Sequence, residues 1–225
     1  MIEFINNGFR KSLAAVLFDM DGVITDSMPW HHICWNEVLE RRGIHLSKEE
    51  LYKREGEKGF TTIQNIFMDK GKTISEAEAE ELLQEKEVLF HQKARIQLFG
   101  GIEEFIFQLA GSGVKVGLVT GTSMGELVKL LPSELIEVFE TIVTGDRVSN
   151  GKPHPEPYLK ALGEIGVEIE SVAVIENAPL GIKSAKAAGV FTIAVQTSLG
   201  EEYLREADVI VKDHPLLFSM FSNNV

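Results

Sequence analysis

Val16-Leu17-Phe18-Asp19-Met20-Asp21-Gly22-Val23-Ile24-Thr25-Asp26-Ser27 is an apolar run that stops at two carboxylates one residue apart, after which a glycine opens a turn. An apolar run of this length bounded by glycine reads as a strand buried on both faces, the kind found inside a parallel sheet. Ligands of open α/β sheets bind beyond the carboxyl ends of the strands, and Asp19 and Asp21 lie at that end. Two carboxylates so close repel each other unless a proton or a cation lies between them. Mg²⁺ favours one or two carboxylates together with substrate phosphate. One carboxylate can serve as nucleophile while its neighbour acts as acid and base. An isolated Asp-x-Asp would be no more than the polar end of a strand bonded to its turn. Here further pieces follow downstream, each just after a predicted strand.

Outward from this stretch the chain changes character twice. Helical spacing of Trp30, Ile33, Cys34, Val38 and Leu39 predicts a helix from Pro29 to about Arg42, closed by Gly43. Ser47 with Glu50 forms a capping-box pattern opening a short helix. Further helices fit 60–70 and 75–93, the second with acidic residues in its first turn. Strand signals are nearly absent between residues 28 and 98, so that segment is expected to be an inserted helical domain, with the core formed by 1–27 and 99–225. From Gly100-Gly101 onward strands at 114–119, 141–144, 172–175, 191–195 and 209–211 alternate with helices at 102–110, 123–131, 155–162 and 180–188. Such alternation predicts an α/β fold with a doubly wound parallel sheet covered on both faces. Residues 1–12 are polar and mixed, a loose lead-in or a short edge element.

The 225 residues carry 22 basic and 34 acidic side chains, a formal charge of −12. That balance argues against nucleic acid or an anionic membrane surface as partner, each of which wants a basic face. It leaves an anionic substrate possible, since a metal and one or two lysines can invert the sign locally. No stretch is long and apolar enough to span a bilayer, and residues 1–12 do not resemble a signal peptide. The single cysteine, Cys34, rules out an internal disulfide and fits a cytoplasmic protein, with Cys34 as a small core hydrophobe.

The downstream pieces are Val119-Thr120-Gly121-Thr122, then Gly151-Lys152-Pro153-His154-Pro155-Glu156-Pro157-Tyr158, then Val174-Ile175-Glu176-Asn177-Ala178-Pro179-Leu180-Gly181-Ile182. Together with the opening stretch they resemble the four motifs of the haloacid dehalogenase superfamily, nearest its β-phosphoglucomutase-like phosphatase group. The resemblance runs from about Ala14 to Asp208. It implies a Rossmann-like core with a helical cap that closes over the site, Asp19 as nucleophile and Asp21 as acid and base. Thr120, Gly121 and Thr122 offer a hydroxyl and main-chain N–H groups to an anion, with an N-capping role for Thr120 as the alternative. Lys152, framed by prolines, is expected to pair with Asp19 and with phosphate. Mg²⁺ is assigned to Asp19, the main-chain oxygen of Asp21, and Asn177, with Glu176 as a direct or indirect partner. The family pattern carries two acidic residues or Gly-Asp at 176–177, and Asn177 departs from it by one negative charge.

In the helical segment, His31 and Lys86 match positions that contact phosphate or the acid–base carboxylate in mutase-like members. Packing against Trp30 is the alternative for His31, and a solvated pair with Glu85 or Glu87 the alternative for Lys86. Glu55-Gly56 falls at the substrate-specificity loop, and the arginine that a mutase carries shortly after that glycine is replaced by Gly59 or a neighbour. His45, His91, His154 and His214 receive no role. The expected activity is Mg²⁺-dependent hydrolysis of a small phosphorylated metabolite (a sugar phosphate, phosphoglycolate or pyrophosphate) by a monomer or weak dimer. A β-phosphoglucomutase-type transfer is the first alternative and a non-catalytic phosphometabolite-binding module the second.

Overall fold

The computed structural model describes residues 1–223. A hairpin of β1 (Ile2–Asn6) and β2 (Phe9–Leu13) precedes β3 (Ala15–Phe18). Helices α1 (Met28–Glu40), α2 (Lys48–Tyr52), α3 (Gly59–Asp69) and α4 (Glu76–Lys93) follow. The chain then alternates through α5 (Ile102–Gly111), β4 (Lys115–Val119), α6 (Met124–Leu130), α7 (Ser133–Val138), β5 (Thr141–Val143), α8 (Glu156–Ile165), β6 (Val172–Glu176), α9 (Pro179–Ala187), β7 (Phe191–Val195) and β8 (Val209–Val211). It closes with α10 (His214–Ser219) and β9 (Phe221–Asn223).

Six strands make one parallel sheet in the order β5-β4-β3-β6-β7-β8. Successive strands run outward from β3 on one side and then return to build the other. The reversal falls between β3 and β6, where a crevice opens at the carboxyl ends of a doubly wound sheet. All four residues of β3 are buried. Val16 and Phe18 face one apolar cluster, Ala15 and Leu17 the other, with the two-residue period of a strand. A strand packed on both faces has no position for a polar residue, which is why its sequence reads as an unbroken apolar run.

Helices α1 to α4 enclose an apolar cluster of their own that includes Trp35, Leu39, Ile63, Ile66 and Leu82. α2 and α4 each begin in a capping box, Ser47 with Glu50 and Ser75 with Glu78, so two end donors are satisfied reciprocally. The two chain crossings into and out of this segment are bonded side by side, Asp26 N to Gln97 O (2.9 Å) and Phe99 N to Ile24 O (2.9 Å).

Residues 1–12 differ from a loose lead-in. β1 pairs with both β2 and β9 in a separate antiparallel sheet. Asn7 and Gly8, with φ of 44° and 88°, make the tight turn, and Asn-Gly between alternating residues is the sequence signal of such a hairpin. β9 and α10 were not foreseen, because their short apolar stretch has no period of its own. Phe221 of β9 packs edge-on against Phe4, with centroids 5.3 Å apart. The helix expected at 123–131 is followed after Pro132 by α7, since a proline opens a helix more readily than it continues one.

His214 also acquires a place. It is buried, stacks on Phe99 with centroids 4.4 Å apart, and donates from Nε2 to the Val23 carbonyl at 2.8 Å. Burial holds its pKa below the ordinary histidine value, against the raising effects of that hydrogen bond and of Asp213. The unfolded chain therefore binds this proton first as pH falls, and stability present above about pH 6.5 is lost on acidification. Chemical denaturation between pH 7 and pH 5 should show this loss. His214→Gln, which keeps a donor, should flatten the profile by up to about 1.4 kcal/mol per pH unit, and an unchanged slope would contradict it.

Candidate active site

Asp19 follows β3, Thr120 follows β4, and Glu176 and Asn177 end and follow β6, so three neighbouring strands deliver these residues to one crevice. Lys152, far away in sequence, enters from the loop before α8. Its Nζ donates to Asp19 Oδ1 at 2.5 Å, to Glu176 Oε1 at 2.7 Å and to the Val119 carbonyl at 3.1 Å. All three side chains are buried. Tyr158 of α8 donates its hydroxyl to the same Glu176 oxygen at 2.8 Å, and Glu176 Oε2 accepts from the Asn177 N–H at 3.0 Å. Glu176 thus has both oxygens engaged, and it reaches the rest of the site through Lys152.

Burial pushes the Asp19 carboxyl up to about 8, with Lys152 pulling it back and the charges of Glu176 and Asp21 adding to the rise. Burial alone would lower Lys152, but the Asp19 and Glu176 charges outweigh it and hold the ammonium well above its ordinary value. Lys152 is therefore a fixed positive charge across the ordinary pH range.

Asp21 is held from several sides. Its Oδ1 accepts from Ser27 Oγ at 2.5 Å and lies 3.5 Å from His31 Nε2, and its Oδ2 accepts from Thr122 Oγ1 at 3.2 Å. Burial raises its pKa, yet His31, the Ser27 hydrogen bond and the Lys86 charge together leave it below the usual carboxylate value. His31 stacks on Phe90 with centroids 4.3 Å apart, and Lys86 Nζ lies 4.7 Å from the centroid of that ring. Lys86 is buried, so it is no solvated partner of Glu85 or Glu87, and desolvation lowers its pKa. Gly121 and Thr122 line the cavity of about 310 Å³ together with Asp19, Asp21, His31 and Lys86. Thr120 sits behind them, accepting from the Thr122 N–H at 3.1 Å, and Ser123 is the N-cap of α6.

Glu55, expected to contact substrate, lines the cavity and also bonds Asn177. Its Oε1 accepts from Asn177 Nδ2 at 2.8 Å. Gly22, at φ 80°, makes room for this pair, and a Cβ there would collide with both. Two buried oxygens in this pair, Glu55 Oε2 and Asn177 Oδ1, have no donor. Desolvation first, then the charges of Asp19, Asp21 and Glu176, hold the Glu55 pKa well above its ordinary value. Among the described residues no three His, Cys, Asp or Glu side chains are grouped to hold a metal. A cation here must draw on amide and main-chain oxygens as well as carboxylates, and the two bare oxygens of the Glu55–Asn177 pair fit a hard divalent ion. Sequence reasoning passed over Ser27, Tyr158 and the loop after β7. The first two lay inside quoted motifs, and the loop had no signal at all.

Residues 16–195 match the haloacid dehalogenase-like hydrolase family. The chain belongs to that family of enzymes. β-Phosphoglucomutase of Bacillus subtilis (strain 168) is 29% identical over 209 residues, covering 89% of each chain. Validoxylamine A 7′-phosphate phosphatase of Streptomyces hygroscopicus subsp. limoneus is 30% identical over 199 residues, 88% of this chain and 92% of the relative. The structure of a candidate β-phosphoglucomutase from Bacteroides vulgatus superposes with a TM-score of 0.82 at 36% identity, covering 92% of this chain and 87% of that one.

Gly181 in the first turn of α9 permits the Glu176 arrangement, because a Cβ there would occupy the space of the Glu176 carboxylate. Gly181→Ala is therefore expected to displace Glu176 and destabilise the protein by about 1–3 kcal/mol, despite alanine's better helix propensity. Urea denaturation measures this, and a neutral or stabilising result would show that Glu176 is free to move.

Proposed function

We propose that this chain is a Mg²⁺-dependent phosphatase acting on a small phosphorylated metabolite through an aspartyl-phosphate on Asp19. The observation that carries the reading is the buried contact of Lys152 with Asp19. Lys152 occupies Oδ1 and Asp19 lines the cavity, so attack on phosphorus falls to Oδ2. The P–O bond to the leaving group breaks as the new bond to Oδ2 forms. Asp21, ionised in this structure, would take up a proton as the negatively charged phosphoryl group enters beside it, and would pass that proton to the departing oxygen. Water then attacks phosphorus, Asp21 takes back a proton, and Asp19 is released with inorganic phosphate. Ser27 and Thr122 hold Asp21 in place for both transfers. The Gly121 N–H group is suited to the phosphoryl oxygens, with Lys152 balancing their charge. Asp19, the main-chain oxygen of Asp21, Asn177 Oδ1 and Glu55 Oε2 would hold Mg²⁺, which neutralises phosphoryl oxygens when bound.

We also propose residues 28–98 as a cap domain over a core of 1–27 and 99–225, with His31 and Lys86 as its contribution to the site. A cavity of this size suits a small metabolite. Similarity to B. subtilis β-phosphoglucomutase favours the mutase as a second reading. A mutase needs a free cation on the loop after Gly56 to hold a second phosphate. There, Lys58 donates to the carbonyls of Val148 (2.6 Å) and Ser149 (3.0 Å), and Arg54, two residues before Gly56, is paired with Asp69 and Glu57. Both cations are committed to the protein, which favours hydrolysis.

Phosphate release across a panel of phosphometabolites should require Mg²⁺, stop with a chelator, and fall by about 10³-fold or more in Asp19→Asn. β-Glucose 1-phosphate with a bisphosphate primer should yield inorganic phosphate. Isomer formation would establish the mutase, and an active Asp19→Asn would end the covalent mechanism.

A further inference from the structure

A carboxylate presents oxygen whichever way it is turned, but an amide has one accepting face and one donating face. Asn177 can serve a cation only with Oδ1 toward it. The side chain is fully buried, its Nδ2 donates to Glu55 Oε1 at 2.8 Å and to Ser198 Oγ at 3.1 Å, and Oδ1 is left bare. Each amide N–H therefore has its own acceptor. The flipped amide would set Oδ1 against the Glu55 carboxylate and aim N–H groups at the bare position.

Ser198 lies in the loop after β7, to which neither the motifs nor the proposed chemistry gives a role. Its neighbour Thr197 donates to the Gly22 carbonyl at 2.6 Å, in the turn that carries Asp21. Leu199 is buried in the apolar cluster of the helical insertion, and Tyr203 donates to Glu49 of α2 at 2.8 Å. One short loop thus touches the turn after β3, the Asn177 amide and the insertion. Of the two acceptors on Asn177, Glu55 belongs to the inserted segment and Ser198 to the core.

We propose that Ser198 is a positioning residue that fixes the Asn177 amide with Oδ1 toward a divalent cation. The inference rests on the reading of Asn177 as a metal ligand given above. Removing the hydroxyl leaves a buried N–H without an acceptor and lets the amide turn.

Titration of the full chain with Mg²⁺ alone, by calorimetry and without substrate, tests this. Ser198→Ala should weaken binding by about tenfold, the effect of losing an outer partner of a ligand. Ser198→Thr should stay within about twofold of wild type, because the acceptor is retained. In an Asn177→Asp background the Ser198→Ala effect should vanish, since a carboxylate has no orientation to lose. Unchanged binding in Ser198→Ala, or an equal loss in the Asn177→Asp background, overturns the inference and leaves the metal reading standing. Wild type that binds no Mg²⁺ overturns both. Melting temperatures without Mg²⁺ identify a variant that has failed to fold, and the Ser198→Thr comparison then decides.

Discussion

The contact of the Lys152 ammonium with Asp19 and Glu176, out of reach of water, is the constraint around which this structure is arranged. Three charges in a dry interior are costly unless each is met by a partner of good geometry. Here Lys152 is met by two carboxylates and a carbonyl, and Glu176 by a phenol and main-chain N–H groups. Asp19 remains the less satisfied member, with its pKa pushed up to about 8 by burial and with the charges of Glu176 and Asp21 adding to the rise. The excess of negative charge is the electrostatic reason that a cation suits this crevice.

Space for the cluster comes from glycines. A Cβ at Gly56 would lie 2.8 Å from Lys152 Cδ, and one at Gly121 would lie 2.9 Å from the Gly56 carbonyl. The loop after α2 is thereby threaded between the turn after β4 and the lysine loop. Lys58, bonded to Val148 and Ser149, extends the same interlock. On the opposite side His91 of α4 is paired with Glu126 of α6, which Lys129 also contacts at 2.9 Å. The insertion and the sheet edge therefore meet through polar contacts at the rim, while the apolar packing of each stays largely its own.

How much of this was legible depended on whether a residue's partner was local. Asp19 and Asp21 announced themselves because an apolar strand ends at them. Lys152 and the Glu176-Asn177 pair were found because each motif sits beside a strand end or a proline frame. The contact of Glu55 with Asn177 spans 122 positions of sequence and had no local signal. His214, Ser198 and Tyr203 carried no local pattern at all, and their partners Val23, Asn177 and Glu49 are remote in the chain.

Periodicity, capping boxes and turn chemistry act over a few residues, so the sequence by itself determined the parallel α/β core, the run of helices α1 to α4 and the ordered strand-end carboxylates. The Asn7-Gly8 hairpin belonged to that class as well, although its signal was passed over. Tertiary structure decided which side chains share a proton or a charge. It alone joins β9 to β1, sets Glu55 against the Asn177 amide, and orients Asn177. Those outcomes depend on burial and on distances across the sheet crevice, neither of which exists until the strands have paired.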